Sequence, residues 1–313
     1  MAQFLSQLPS RVARVAHRAL AGARVASAVA FSALGALGAA CSVAPVDYGA
    51  EADAGSRTHA LITIERSALL SSAEAPRAAA FAGFVRTPPE VDANAMLRLA
   101  GFGLDLPALG QCAEPNHERE SNMPLSPLGR VEFLDAGDVT LRTSSTNALL
   151  ATRALPAVTD LIAGVVYTTR DRAAEPLPPA TNYTLTASGG LLRAFNVNVN
   201  APAQLSSVKV GSTPLAELTS VAAHSPIALN WTPGLGRDLV YVELTTQDGS
   251  ATLRCTFRDD AGAGSVPASA FIGTGLGEVS LHRVHSEPFA SGSVDAGEVR
   301  FDFEQSANVE FTN

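Results

Sequence analysis

The sequence predicts an all-β protein with two β-sandwich-like domains, of which the C-terminal one is immunoglobulin-like. Short runs of alternating apolar and polar residues recur along the chain, a pattern typical of strands with one buried face. Clusters of Gly, Pro, Asn and Asp separate these runs, as expected for turns. Apolar residues make up 46% of the 313 residues, which is enough for a substantial core. We expect helix only in two short segments, residues 73–82 and 94–100.

The first forty residues have the composition of an export signal. Residues 11–24 contain four arginines, residues 25–40 are apolar and rich in Ala and Gly, and small residues lead into Cys41. The apolar stretch is shorter than the roughly 20 residues that a membrane-spanning helix needs. A positive start, an apolar middle and a small-residue end define a secretory signal. We therefore predict a signal peptide over residues 1–40.

The sequence LGAAC at residues 37–41 resembles the signal of bacterial lipoproteins, although its leucine lies one position further upstream than in that family. The resemblance implies cleavage before Cys41, a diacylglycerol on its sulfur and acylation of the new N-terminus. Membrane lipid is then a partner, and Ser42 favours the outer membrane. Ordinary secretion with Cys41 unmodified and an uncleaved anchor are the alternatives. Residues 41–56 are small and acidic, so we expect a flexible tether.

The cysteine count predicts one disulfide. If Cys41 carries lipid, Cys112 and Cys255 are the two cysteines that remain. Paired thiols in an exported protein are normally oxidised. We therefore expect a Cys112–Cys255 bridge between the two halves of the body, and the alternative is two unrelated buried thiols.

The body divides into residues 57–195, a β-rich N-terminal domain, and residues 196–313, the immunoglobulin-like sandwich. In the first part, HALITIER alternates as a strand with Ile62 and Ile64 on one face, and GRVEFLDAGDVTLRT predicts a β-hairpin that turns at residues 135–137. In the second part, Trp231 and Cys255 lie on different predicted strands. The segments LNWTPG, VYVELTT and VSLHRV in this part resemble uncharacterised exported proteins of GC-rich Gram-negative bacteria. That resemblance implies a sandwich with Trp231 in its core and an export route, but no activity.

The charge distribution argues against a nucleic-acid partner. The chain carries 22 basic and 30 acidic residues, and the first forty residues contain four arginines and no acid. The remaining body is therefore more acidic than the net charge of -8 suggests. Binding to phosphates requires clustered Lys and Arg. The body instead reads as a soluble unit that is dispersed by self-repulsion.

Neither a metal nor a cofactor is expected from the motifs. Asp-Ala-Gly occurs at Asp53, Asp135, Asp260 and Asp295, where turn formation is favoured over calcium binding. On a strand, residues three apart point to opposite faces, so His282 and His285 do not form a metal site. GTGLG at residues 273–277 has no following helix and reads as a turn rather than a phosphate loop.

No recognised catalytic motif is present, neither Gly-x-Ser-x-Gly nor His-Glu-x-x-His. The polar segment at residues 112–122 could bind a divalent ion or supply an acid and a base, but we expect a solvated loop. The acidic residues of this loop and its histidine are Glu114, His117, Glu118 and Glu120. Asp259 and Asp260 are adjacent and need not face each other.

Three functions remain open. The first is a non-enzymatic cell-envelope lipoprotein that binds a glycan or an envelope protein, or has a structural role. The second is an accessory subunit of an envelope assembly that pairs through an exposed strand. The third, which we favour least, is a carboxylate-based hydrolase acting on glycans. A cleft with convergent carboxylates of shifted pKa would support the hydrolase, whereas an exposed aromatic strip would support glycan or protein binding.

Overall fold

The computed structural model describes residues 55–89, 91–98, 101, 103–115, 131–158, 162–169 and 177–313. Residues from Gly49 onward belong to one compact unit. The predicted signal peptide, Cys41 and nearly all of the predicted tether lie outside the described residues, as does Asp53. The described part is mostly strand, so the all-β prediction is confirmed.

The first half of the body is described as nine strands and one short helix. They are β1 (Arg57–Leu69), β2 (Arg77–Thr87), α1 (Ala93–Leu97), β3 (Cys112–Ala113), β4 (Val131–Phe133), β5 (Val139–Arg142), β6 (Asn147–Val158), β7 (Ile162–Thr168), β8 (Asn182–Ala187) and β9 (Phe195–Asn200).

The second half contributes nine further strands and two 3₁₀ turns, Leu215–Glu217 and Asp259–Ala261. The strands are β10 (Lys209–Val210), β11 (Thr213–Pro214), β12 (Ser220–Ala222), β13 (Ile227–Asn230), β14 (Leu239–Thr246), β15 (Thr252–Arg258), β16 (Ala263–Val266), β17 (Gly275–Ser291) and β18 (Val294–Thr312).

Most strands join one large mixed sheet with the order β3-β15-β14-β17-β18-β1-β2-β4-β7-β6-β5-β8-β9, and β12 pairs with β18. A second sheet has the order β11-β10-β13-β16. The central pairing is between β1 and β18, which run parallel with His59 opposite Ala296 and Leu69 opposite Ser306. This pairing joins the first strand of the body to its last.

The N-terminal core forms where the large sheet folds over on itself. Ile62 and Ile64 of β1 and Phe84 of β2 pack with apolar residues from β5, β8 and β9. Phe301 and Phe303 of β18 belong to the same core. These side chains are essentially fully buried. The prediction that Ile62 and Ile64 share one face of β1 is confirmed.

The C-terminal core lies between the two sheets, as in a sandwich. Val242, Leu281 and Val309 of the large sheet pack against Leu229 and Val266 of the smaller one. Trp231 is buried in this core, as predicted, and its indole N–H donates to the carbonyl of Asp259 at 3.0 Å. The sandwich prediction is confirmed, and immunoglobulin-like connectivity stays a prediction.

Strand β18 passes through both cores. Phe301 and Phe303 belong to the N-terminal core, whereas Val309 and Phe311 belong to the C-terminal core. The predicted division at residues 195 and 196 stays a prediction. The two cores are therefore connected by one uninterrupted strand of 19 residues.

One of the two predicted helices is present. Helix α1 begins after Asp92, whose carboxylate accepts a hydrogen bond from the backbone N–H of Asn94. It packs on the sheet face opposite the N-terminal core and buries Leu61, Val85 and Phe133. The helix predicted at residues 73–82 is wrong, since β2 begins at Arg77. The alanines of β2 alternate between the two faces of a strand inside the sheet. The backbone hydrogen bonds between β2 and β1 outweigh the helix preference of alanine.

The hairpin predicted around residues 135–137 is also wrong. Strand β4 pairs with β2 and β7, whereas β5 pairs with β6 and β8. The turn itself forms, because the Asp135 carboxylate accepts from the N–H of Gly137 at 2.7 Å. The Tyr167 hydroxyl also donates to this carboxylate, at 2.9 Å. The turn predicted at Asp295 is wrong, because that residue lies inside β18 and accepts from the N–H of Thr58.

A disulfide joins Cys112 of β3 to Cys255 of β15, the pair predicted from the cysteine count. Its sulfur atoms pack against the C-terminal core. The bond attaches a segment of the first half of the chain to the edge of the sheet in the second half.

Candidate functional site

The outer face of the large sheet carries a group of hydrogen-bonded polar side chains on β14, β17 and β18. Strand alternation separates these residues from the core, since Val240, Val242 and Leu244 point inward while Tyr241 and Glu243 point outward. The same alternation makes Ser280 and His282 neighbours on β17. It also places Asp302, Glu304 and Ser306 on the outer side of β18.

Three adjoining clefts form a continuous depression on this face. The largest, of about 780 Å³, is lined by Glu243, Glu278, Ser280 and Glu310 among others. It shares Glu278 with a second cleft of about 230 Å³, which shares Glu304 with a third of about 340 Å³. We call this depression the acidic trough and define it by the following carboxylates: Glu243, Glu278, Asp302, Glu304 and Glu310.

A hydrogen-bonded chain occupies the middle of the acidic trough. The Tyr241 hydroxyl donates to Asp302 Oδ2 at 2.9 Å, and His282 Nδ1 lies 2.8 Å from Asp302 Oδ1. His282 Nε2 lies 3.0 Å from Ser280 Oγ. The Tyr241 and His282 rings stack with their centroids 4.1 Å apart. The Arg254 guanidinium also lies over the Tyr241 ring, 5.5 Å from its centroid. The chain therefore fixes the position of the Asp302 carboxylate.

The trough shifts the pKa values of several of its groups. Burial lowers the pKa of His282, but Asp302 and the nearby glutamates outweigh burial and hold it above its usual value. Burial raises the pKa of Glu304, and the carboxylate of Glu278 adds to this effect while His282 opposes it. Burial, with Asp302 beside the hydroxyl, raises the pKa of Tyr241 well above its usual value. The trough thus favours the cationic form of His282 and the neutral form of Glu304 more than water does.

Ser280, His282 and Asp302 have the connectivity of a nucleophilic triad, but their surroundings disfavour acyl transfer. Such a reaction needs N–H donors aimed at the developing oxyanion. Ser280 lies in the middle of β17, whose neighbours β14 and β18 occupy its backbone groups. Glu243 lies directly opposite Ser280 in the sheet and would repel an oxyanion. The hydrogen bonds among these side chains are therefore better suited to orienting Asp302 than to activating Ser280.

The two histidines lie on opposite faces of β17, as predicted. His285 is buried, and its Nδ1 lies 2.6 Å from Asp238 Oδ1. Between them Arg283 also faces inward and forms a buried ion pair with Asp259, with Nε 2.7 Å from Oδ2. These contacts stabilise the inner side of the sheet and are not part of the trough.

The other residues considered in the sequence lie elsewhere. Asp259 is buried against Arg283, whereas Asp260 is exposed and pairs with Arg258, so the two do not converge. Glu114 is exposed, and the remaining members of its loop, His117, Glu118 and Glu120, lie outside the described residues. Within the described ranges no group of three His, Cys, Asp or Glu is arranged to hold a metal ion.

The sequence reasoning missed Tyr241, Ser280, Asp302 and Glu304. Ser280 has no partner nearby in the sequence, because its chain of contacts is completed from β18, about twenty residues later. The available signal was alternation: EVSLHRV and VRFDFEQ each place polar residues on one face of a strand. That signal locates a polar face but does not reveal which strands are neighbours.

Comparisons with known proteins do not assign a family. No protein-family model matches the chain, and no curated protein matches it significantly. In the part of the chain that the structure describes, no helix is long and apolar enough to cross a membrane. The function is therefore argued from the trough itself.

Proposed function

We propose that this protein is a lipid-anchored binding module of the cell envelope, attached through Cys41, whose acidic trough binds a linear, hydroxyl-rich glycan that carries amino groups. The observation that carries the proposal is the trough itself. It is elongated and open, and most of its lining residues have hydrogen-bonding side chains. Nucleic acid is disfavoured as a ligand, because phosphates would meet these carboxylates.

The lining of the largest cleft supports a ligand of this chemistry. Its described lining residues include three glutamates and no Lys or Arg, and Glu243 alone has a close cationic partner, Arg254. Carboxylates pair with ammonium groups, and the hydroxyl and amide side chains of Thr219, Gln247 and Asn308 suit sugar hydroxyls. The described aromatic residues are all buried or half-buried, so binding relies on polar contacts rather than on ring stacking.

Binding can be tested by calorimetry with the β-1,4-linked glucosamine hexamer, using the N-acetylated hexamer for comparison. We expect the amino form to bind more tightly and its affinity to fall with added salt. Glu278→Gln and Glu310→Gln should each weaken binding about two- to fivefold, as for partly exposed ion pairs. Glu114→Gln is the matched control, because Glu114 is exposed and lines none of the three clefts. Equal affinity for both hexamers would contradict the proposed ligand.

The anchor requires a separate measurement. Intact mass of the protein extracted from membranes should correspond to a chain that begins at Cys41 and carries acyl groups. Two or more chains would hold it firmly, since each buried methylene contributes about 0.8 kcal/mol. A mass that retains residues 1–40, or a Cys41 without lipid, would contradict the anchor and leave the trough proposal to its own test.

Assembly through a strand is the second candidate. Strand β16 pairs with β13, and no second partner for it is found among the described strands. An edge of this kind can accept a strand from another protein. Cross-linking in envelope extracts from a photoreactive residue placed at Ser265 would capture such a partner, whereas the same probe at Asp138 serves as control.

A further inference from the structure

Strand β15 is covered on one side by a short segment from the first half of the chain. Strand β14 pairs with β15 along its whole length, whereas the opposite side of β15 pairs with β3, which has two residues. Next to β3, the N–H of Gly110 donates to the Thr256 carbonyl at 2.8 Å, and the Thr256 N–H donates to the Gln111 carbonyl at 3.1 Å. We call residues 103–113 the cover segment, because without them β15 would be an edge strand of the large sheet.

The cover segment buries little of its own surface. Its residues 108–111 are all exposed, and Leu109 keeps 54% of its surface in contact with solvent. Besides the disulfide and the backbone hydrogen bonds to β15, the Asp105 carbonyl accepts from Arg254 Nη1 at 3.0 Å. Within the segment, Cys112 is the residue that packs against the C-terminal core. Because apolar burial contributes little here, the disulfide is the strongest link between the cover segment and β15.

Strand β15 keeps its own support when the cover segment is absent. Leu253 and Cys255 are buried in the C-terminal core, and every residue of the strand is paired with β14. Thr256, which makes both backbone hydrogen bonds to the cover segment, is 2% exposed, and its hydroxyl has no hydrogen-bond partner among the described residues. A buried hydroxyl without a partner costs free energy, so solvent at this edge would be favourable. The fold therefore allows the cover segment to detach while β15 stays in the sheet.

We propose that the Cys112–Cys255 disulfide is a redox latch, which a dithiol reductant opens so that the cover segment leaves the edge of β15. Thiolate attack falls on Cys112, because this residue is half-buried whereas Cys255 is fully buried. The S–S bond breaks, a mixed disulfide forms between the reductant and Cys112, and Cys255 takes up a proton. The second thiol of the reductant then attacks the mixed disulfide and releases Cys112 as a thiol. The dithiol is oxidised to a disulfide, and the two cysteines gain its two electrons and two protons.

The latch controls which backbone groups of the sheet meet solvent. In the oxidised protein the N–H and the carbonyl of Thr256 are both bonded to the cover segment. In the reduced protein they are unpaired, and β15 becomes a free edge of the large sheet. The latch depends neither on the lipid anchor nor on glycan binding, so it is tested independently of both.

Hydrogen exchange of the full chain, read by mass spectrometry after short labelling pulses, tests the latch. Dithiothreitol should add the two hydrogens of the free thiols and raise the exchange rates of the Gly110 and Thr256 amides about tenfold or more. Amides shared between β14 and β17 should stay protected during the same pulses, and the far-UV circular dichroism should not change. The double variant Cys112→Ala/Cys255→Ala is the control, and it should exchange like the reduced wild type whether or not dithiothreitol is present.

Three results would overturn the latch. A bond that dithiothreitol does not open in the folded protein would show that Cys112 is closed to a thiolate. Unchanged exchange at Gly110 and Thr256 after reduction would show that the cover segment stays attached without the bond. Loss of protection across β14 and β17 in the same pulses would show that the bond holds the whole fold rather than the cover segment. None of these results bears on the acidic trough, whose binding test is separate.

Discussion

The two faces of strands β14, β17 and β18 differ in how they use polar residues. On the inner face, apolar side chains such as Val242 and Leu281 dominate, and a charged residue such as Arg283 is buried with a close partner, in this case Asp259. On the outer face, carboxylates outnumber cations around the acidic trough. Polar groups on the inner face thus stabilise the fold, whereas on the outer face Glu278 and Glu310 have no cationic side chain at ion-pair distance among the described residues. The comparison teaches that a polar side chain alone does not mark a binding site. Charged side chains without a partner mark a candidate binding site, whereas paired and buried charges stabilise the fold.

Loss of the disulfide should have the largest effect on stability. The bond closes a loop of 143 residues, for which the chain-entropy model gives about 5 kcal/mol, and measured values lie at about 2–5 kcal/mol. Replacing Cys112 and Cys255 together by alanine should lower the free energy of unfolding by that amount. Urea unfolding measures the change. A difference in the free energy of unfolding below 1 kcal/mol would show that the disulfide contributes little to the stability of the fold.

Breaking the buried ion pair should cost a similar or slightly smaller amount. In Arg283→Met the Asp259 carboxylate loses its charge partner, and the carbonyls of Ala203 and Thr232 lose a donor. Removal of one partner of a buried pair typically costs about 3–5 kcal/mol. The double variant Arg283→Met/Asp259→Asn should recover part of the loss. A single variant as stable as the wild type would show that the Arg283–Asp259 ion pair does not stabilise the fold.

His282 should make the stability of the outer face depend on pH. Its folded pKa lies above the unfolded value of about 6.5, so its contribution is fully present below that pH. The contribution is lost as the pH rises through the folded pKa. Stability measured by urea unfolding should therefore fall on raising the pH above about 6.5, and His282→Gln should flatten this dependence. An unchanged slope in the variant would assign the pH dependence to another group.

Glu304→Gln should produce the smallest change in stability, and it should raise stability where the preceding substitutions lower it. The folded pKa of Glu304 is raised, so the stabilisation from its proton is present at acid pH and lost as the pH rises through that pKa. At pH 8 the charged group opposes folding, and the neutral glutamine should increase the melting temperature. Near pH 4 the variant should match the wild type. A loss of stability at pH 8 would show that the charge of Glu304 is structurally favourable.

Sequence reasoning predicted the strands well where one face is buried and failed where pairing depends on distant residues. Alternation alone was sufficient for Ile62 and Ile64, and for the opposite directions of His282 and His285. It did not reveal that β4 and β5 separate, because the partners of both strands lie elsewhere in the chain. The alanines of β2 were mistaken for helix because local propensity is weaker than the ladder bonds of a central strand.

The candidate site was harder to predict for the same reason. Asp302 and Tyr241 are 61 residues apart in the chain, and their contact exists only because β14, β17 and β18 are neighbours in the sheet. Glu304 and Glu278 come together across the β17–β18 pair. The disulfide could be predicted because the chain has only three cysteines. It has 30 acidic residues, so the sequence does not show which of them lie together in the fold.

The parallel pairing of β1 with β18 has a consequence for synthesis. Strand β1 pairs early with β2, which follows it directly, but its second neighbour, β18, is made more than 200 residues later. The N-terminal core cannot close around Phe301 and Phe303 until β18 has been synthesised. A polypeptide stopped before residue 294 should therefore lack this strand between its two cores and be cleaved by proteases in β1 more readily than the longer chain.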